Sequence, residues 1–483
     1  METQSAWKKY GAADIEELER ICADYIAFIS KNKIEREFAR AAVEQAEAAG
    51  YRNLDAIYEA GGSIGAGDKV YATVQGKAVI MAQIGTEPIE RGMNILGAHI
   101  DSPRIDVKQN PLFERNDLVH LDTHYYGGIK HYQWVTLPLA LHGVVAKTDG
   151  TVIDVNVGED ADDPVFCVTD LLIHLAKDQM QKKANEVVAG EDLDILVGNR
   201  PLVIEKADDA DADGDDADDA PAWEKLAEKE PVKAYCLKLL AEKYGITEED
   251  FMSAELEAVP AGPAREMGFD RSLIIGYGQD DSACAYPSLL AQLAMDGKPL
   301  ARTAVCVLVD KEEIGSVGAT GMASQFFENV VALMMELAGE GGDIKLRRGL
   351  AASRMLSSDV SAGLDPAYAS VFEPKNASFI GHGLVYTKFT GSRGKSGSND
   401  CSAEYMALVR RIMDDAGVVY QTAELGKVDI GGGGTIAYLP AKYGMDVIDS
   451  GVSVLSMHAP WEVTSKADVF EAYKGYVAFL KSE

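Results

Sequence analysis

From residue 272 onward, short apolar runs alternate with long helical patterns, and this alternation narrows the fold more than any other feature. The runs read SLIIGY, TAVCVLV, RMLSS, LVYTKF, YQTAEL and SVLSM, separated by segments such as SACAYPSLLAQLAMD and ASQFFENVVALMMELAG. Runs this short suit strands buried on both faces, and strands joined by helices pair in parallel. The expectation is an α/β domain with a mostly parallel sheet covered by helices on both faces, a three-layer arrangement. Upstream, Ile15, Leu18, Ile21, Tyr25 and Ile29 recur at helical spacing. Residues 69–84 read as a hairpin around Gln75-Gly76, and 94–100 as a strand ending in a polar corner.

Residues 108–251 differ in character. LVHLDTHYYGG and WVTLPLALHGVVAKTDGTVIDVNV read as strands joined by turns, with one helix expected over 170–183. The chain has 483 residues, more than one ordinary core holds. The expected organisation is therefore a discontinuous domain, 1–107 plus 252–483, with a smaller β-rich domain, 108–251, inserted into it. The run ADDADADGDDADDAPA at 207–222 has no large apolar residue and reads as a disordered, solvated loop. It lacks the glycine and glutamate positions of a calcium-binding EF-hand loop.

A formal net charge of −31 repels phosphate backbones and anionic membranes, so neither nucleic acid nor a membrane is an expected partner. The first thirty residues show no leader pattern, and no stretch is apolar for long enough to span a bilayer. The six cysteines are scattered with no CxxC pair, as expected of buried thiols in a reducing compartment. The cytoplasm is the expected location.

Five polar clusters follow apolar runs: His99-Ile100-Asp101, Asp280-Asp281, Asp310-Lys311-Glu312-Glu313, Asp359 and His458-Ala459-Pro460. Open α/β sheets bind ligands at such strand ends. Each cluster alone is ordinary, since a histidine there is usually structural and an Asp pair usually a helix cap. Together they supply two imidazoles and three carboxylates, a donor set suited to two divalent ions sharing one carboxylate. Glu312 is then free to act as a base. Asp101, two residues beyond His99 on an extended strand, shares its face and is placed to orient the imidazole. The run GGGGT, ending at Gly434 and Thr435, lets backbone approach a substrate closely.

The segments GAHIDSPR (97–104), QDDSACAYPSL (279–289), DKEEIGSVGATG (310–321), SSDVSAGLDP (357–366) and SMHAP (456–460) resemble, in order and spacing, the aspartyl aminopeptidases of the co-catalytic dizinc group. The resemblance spans nearly the whole chain. It implies that His99, Asp280 and Asp359 hold one metal ion and Asp280, Glu313 and His458 the other. It also implies Glu312 as general base and Asp101 as support for His99. Zinc is the metal it implies, although cobalt or manganese fit the same donors. It further implies that the inserted domain mediates dimers, which assemble into a dodecamer. His174 resembles a histidine that reaches into a neighbour's active site. In the loop 388–400, Lys388 aligns with a substrate-contacting lysine, but one residue is inserted and Ser396 stands where the family has a tyrosine. Asp281 stands where the family often has asparagine.

The expected activity is removal of the N-terminal residue of peptides, with Asp or Glu preferred as the resemblance implies. Two alternatives remain open at this stage. One is an enzyme of the same architecture acting on neutral or basic residues, or a related deacylase. The other is a catalytically silent assembly protein.

Overall fold

The computed structural model describes residues 4–204, 221–392 and 394–483. The acidic segment 207–222 lies outside the described residues except for its last two, and Ala222 opens the short helix Ala222–Leu226. Two compact units emerge. Met1–Ser102 and Pro263–Glu483 form the first, and Pro103–Gly262 the second.

The first unit is built on a nine-stranded sheet in the order 52–53, 69–74, 78–83, 303–309, 93–99, 354–358, 446–451, 384–387, 420–422. Its central members, Thr303–Val309, Met93–His99, Arg354–Ser358 and Asp446–Gly451, pair in parallel. The hairpin Lys69–Val74 with Ala78–Gln83 joins one side antiparallel, and Leu384–Thr387 joins the other antiparallel. Gln75 and Gly76, at φ 51° and 65°, make the hairpin turn, whose twist needs two left-handed residues.

Alternation along these strands sorts side chains into two cores. Leu96, Ala98, Cys306 and Leu308 pack with Leu18, Phe38, Leu289 and Phe470. Ile95, Val305 and Val307 pack with Phe327, Val331 and Met334. Fully burying one such Leu, Ile, Val or Phe side chain contributes roughly 1.5–3 kcal/mol, so the central strands are the most firmly held part of the unit. The first helix, Ala12–Lys31, buries Leu18, Ile21, Tyr25 and Ile29 and leaves Ile15 exposed.

Two runs expected in the main sheet lie elsewhere. Leu273–Gly276 and Ser453–Leu455 belong to a separate five-stranded sheet, where both pair antiparallel with Glu462–Ser465. That strand satisfies their backbone groups, and nothing in the apolar runs themselves specifies which partner they choose.

The second unit carries a seven-stranded antiparallel sheet and the helix Pro231–Tyr244. The helix expected over 170–183 is not formed. Two short 3-10 turns, Ile173–Leu175 and Gln179–Gln181, occur instead. Leu171, Leu172, Ile173 and Leu175 are all exposed, so no apolar face is buried to hold a helix, and a short isolated helix is marginal in water. No helix among the described residues is long and apolar enough to cross a membrane.

Candidate active site

All five polar clusters meet within the first unit. His99 ends the central strand Met93–His99 and is 1% exposed. Its Nδ1 lies 3.0 Å from the Asp101 carbonyl oxygen and 3.4 Å from Asp101 Oδ1. A proton on Nδ1 satisfies these acceptors and leaves the Nε2 lone pair facing inward. Asp101 does more than orient the imidazole. Its carboxylate accepts the backbone N–H of Glu312 at 3.1 Å and of Glu313 at 3.2 Å, and so fixes the turn that carries both glutamates. Behind that turn, Asp310 accepts the Thr320 hydroxyl at 2.6 Å and the Lys311 backbone N–H at 2.7 Å.

Asp280 and Asp281 open the helix Gln279–Leu293 with non-helical backbone and a cis peptide between them. Asp280 lies between the two histidines: His99 Nε2 is 3.2 Å from Oδ1, and His458 Nε2 is 3.2 Å from Oδ2. His458 Nε2 is also 3.5 Å from Glu313 Oε2. Asp281, the extra carboxylate, accepts the His99 backbone N–H at 3.3 Å.

Asp359 follows the strand Arg354–Ser358 and donates its N–H to the Ser450 carbonyl at 3.2 Å. Gly451 lies directly against it, and a Cβ there would be 1.7 Å from the Asp359 carbonyl oxygen. Gly451→Ala is therefore expected to push Asp359 out of place and reduce kcat by at least about tenfold, the rate equivalent of 1.4 kcal/mol. Steady-state kinetics on purified, folded variant checks this.

Potential metal-ligand atoms of His99, Asp280, Asp281 and Asp359 lie within 4.8 Å of one another, as do those of Asp280, Glu313 and His458. Burial pushes Glu313 and Asp359 well above the ordinary carboxylate range; neighbouring Asp280 adds to it for Glu313, and Glu312 and Asp280 for Asp359. Burial raises Asp281 too, against the pull of His99. Burial pushes Glu312 up to about 7, against the pull of His99 and His458. Asp280 runs the other way: despite burial, its two imidazoles hold it below the ordinary value. The cluster thus holds more buried carboxyl groups than its two imidazoles could neutralise if all were ionised. Divalent cations would offset that excess, and imidazole nitrogen with carboxylate oxygen is a donor set that fits zinc.

The chain from residue 28 to residue 480 matches the family model for aminopeptidase I zinc metalloproteases (M18). The chain belongs to the M18 aminopeptidase family. A probable M18 family aminopeptidase 1 from Clostridium acetobutylicum is 54% identical over 481 residues, covering 100% of this chain and 98% of that protein. The solved structure of an M18 aminopeptidase from Thermotoga maritima superposes with a TM-score of 0.90 at 40% identity, covering 100% of both chains. That of aminopeptidase I from Clostridium acetobutylicum has a TM-score of 0.88 at 51% identity, again over 100% of both. The protein is thus an aminopeptidase of a zinc metalloprotease family with a mixed α/β fold.

In this M18 aminopeptidase the cluster lines a cavity of about 770 Å³ that holds Asp280, Glu312, Glu313, Asp359 and His458. Gly434 and Thr435 line it too. Nothing lies within 4 Å of a Cβ built on Gly434, whereas one on Gly431 would be 1.7 Å from the Leu425 carbonyl oxygen. Part of the glycine run therefore packs against its own protein, and Gly434 faces open space. Lys388 is not in the lining. It is exposed, with Nζ 3.4 Å from Asp400 Oδ1. His174 lies in the second unit, exposed in the turn Ile173–Leu175.

Two buried carboxylates escaped the sequence reading. Glu462 accepts the backbone N–H of Asp280 at 3.0 Å and of His458 at 2.7 Å, and burial pushes it up to about 8. Asp449 lines the cavity, accepts the Thr435 hydroxyl at 2.5 Å, and burial pushes it up to about 7. The only sequence signal for either was a carboxylate flanking or inside an apolar run (DVIDSG and WEVTS).

Proposed function

We propose that the chain hydrolyses the N-terminal residue of peptides with two divalent ions, zinc by the family's character, and with Glu312 as general base. The observation that carries this reading is Asp280 set between His99 and His458 at 3.2 Å from each, as a shared ligand requires. His99, Asp280 and Asp359 would hold one ion, and Asp280, Glu313 and His458 the other. When bound, the ions acidify water and polarise the scissile carbonyl. Glu312 takes the proton from the attacking water and returns it to the departing amine, a task suited to a carboxyl raised toward neutrality. Asp101 keeps His99 in one tautomer and holds Glu312 and Glu313 in place.

The substrate side favours the alternative to an acidic preference. A pocket for Asp or Glu needs a cation, and no lysine or arginine occurs among the described lining residues. Lys388 lies outside that lining, its Nζ 3.4 Å from Asp400 Oδ1. Neutral or basic N-terminal residues fit this lining better. Gly434 and Thr435 would flank the bound residue.

The exposed run Leu171, Leu172, Ile173 and Leu175 on a chain of net charge −31 supports a homo-oligomer formed through the second unit. This agrees with the dimers and dodecamer that the family resemblance implies. His174 within that run is the residue proposed to serve a neighbouring subunit. All six cysteines are free of disulfides, which supports a reducing compartment such as the cytoplasm.

A panel of aminoacyl substrates, assayed with and without chelator, tests the function. The expected result is chelator-sensitive release of Leu, Met or Lys at least about tenfold faster than of Asp or Glu. An acidic side chain would enter a wall whose described residues offer no lysine or arginine, and the tenfold ratio corresponds to roughly 1.4 kcal/mol. Faster release of Asp and Glu would restore the acidic preference. Release only of acyl groups would make the protein a deacylase.

A further inference from the structure

We propose that Glu462 is a positioning residue that clamps together the two segments bearing Asp280 and His458, and thereby sets the affinity of the ion these residues would share. The proposal rests on the two-ion reading above.

Glu462 is 1% exposed and opens the strand Glu462–Ser465, paired with Leu273–Gly276 so that Glu462 sits opposite Gly276. From there its two carboxylate oxygens divide their work. Oε2 accepts the Asp280 backbone N–H at 3.0 Å, and Oε1 accepts that of His458 at 2.7 Å. Its own carbonyl accepts Gln279 Nε2 at 2.6 Å, which ties down the residue before Asp280 as well.

The clamp answers a need of the backbone. Ser456 and His458 have φ of 58° and 63°, a left-handed conformation that side-chain-bearing residues avoid unless their surroundings impose it. The Glu462 bond reaches back four residues to the N–H of His458 and holds that turn closed. Asp280 likewise has non-helical backbone at the head of its helix. Both ligands therefore sit on main chain that the helix or strand does not fix, and one carboxylate fixes both. Only an acceptor with two oxygens and no donor meets two N–H groups at once. Glutamine would present one oxygen and one NH₂, so that one backbone N–H would face another donor.

The test is zinc binding to chelator-treated full-length protein, measured by competition with a chromophoric chelator, together with thermal unfolding of the same zinc-free samples. The wild type should take up two ions. Glu462→Gln should bind the weaker ion about 10–100-fold less tightly, the usual effect of removing a residue that orients ligands. Its zinc-free unfolding midpoint should shift by no more than about 3 °C, and excess zinc should restore its activity. Glu462→Asp, too short to reach both N–H groups, should fall between the two. Unchanged zinc affinity in Glu462→Gln would overturn the proposal. So would a large drop in the zinc-free midpoint with both affinities falling in parallel, because Glu462 would then merely support the fold. Uptake of fewer than two ions by the wild type is a separate outcome: it would remove the two-ion reading, and the clamp with it.

Discussion

Glu312→Gln is expected to abolish nearly all turnover while leaving zinc uptake at two ions per subunit. Glu312 lines the cavity beside the ligand cluster, and burial holds its carboxyl near neutrality. A group poised there both accepts and returns a proton near pH 7, and such catalysis contributes about 10²–10⁴-fold. Glutamine keeps the size and shape but cannot carry a proton between water and amine. The expected loss is therefore in kcat, by about three orders of magnitude, with KM changed little. The backbone supports this separation. Asp101 holds the turn by the N–H groups of Glu312 and Glu313, so changing the Glu312 side chain leaves the Glu313 carboxylate in place. Paired measurements of kcat and of zinc content decide the matter. Near wild-type turnover would remove Glu312 as the base. Loss of one ion together with activity would make Glu312 a ligand instead.

The site was far more legible in the sequence than its supports. His99, Asp280, Glu312, Asp359 and His458 each follow an apolar run that marks a strand, and a charge at such a place is conspicuous. Their convergence did not depend on every strand joining one sheet. Leu273–Gly276 and Ser453–Leu455 lie in the smaller sheet, yet Asp280 and His458 still meet His99. What the sequence hid was pairing at a distance. Glu462 acts on a residue 182 positions away, and Asp449 on one 14 away. Lys388 aligned with a substrate residue, and in the structure it lies outside the cavity lining with Asp400 beside it, a neighbour that the alignment did not reveal. The region 170–183 misled for a related reason. A helix was expected there, but Leu171, Leu172, Ile173 and Leu175 stay exposed and the backbone forms only short 3-10 turns. Local pattern reports whether a segment has an apolar face, and not whether anything covers it.

Asp280→Asn tests the shared-ligand role and is expected to have the largest effect of any single substitution at the site. The two carboxylate oxygens of Asp280 each face a different imidazole, His99 at 3.2 Å and His458 at 3.2 Å. Asparagine keeps the volume and the backbone bond to Glu462, because that bond uses the main-chain N–H. It removes one negative charge and replaces one of the two donor oxygens with an NH₂ group that cannot ligate. One ion position then loses a ligand outright, and the other loses the charge that helps offset two neighbouring dications. Such an ion is worth several kcal/mol of transition-state charge stabilisation, so its loss corresponds to about 10³-fold or more in rate. The expected result is zinc content at or below one ion per subunit, and activity that added zinc does not restore. Glu312→Gln should instead keep both ions, so zinc content separates failure to bind metal from failure to move a proton. An Asp280→Asn protein that held two ions and retained turnover would mean that the histidines, Asp359 and Glu313 suffice, and that Asp280 only pairs with the imidazoles.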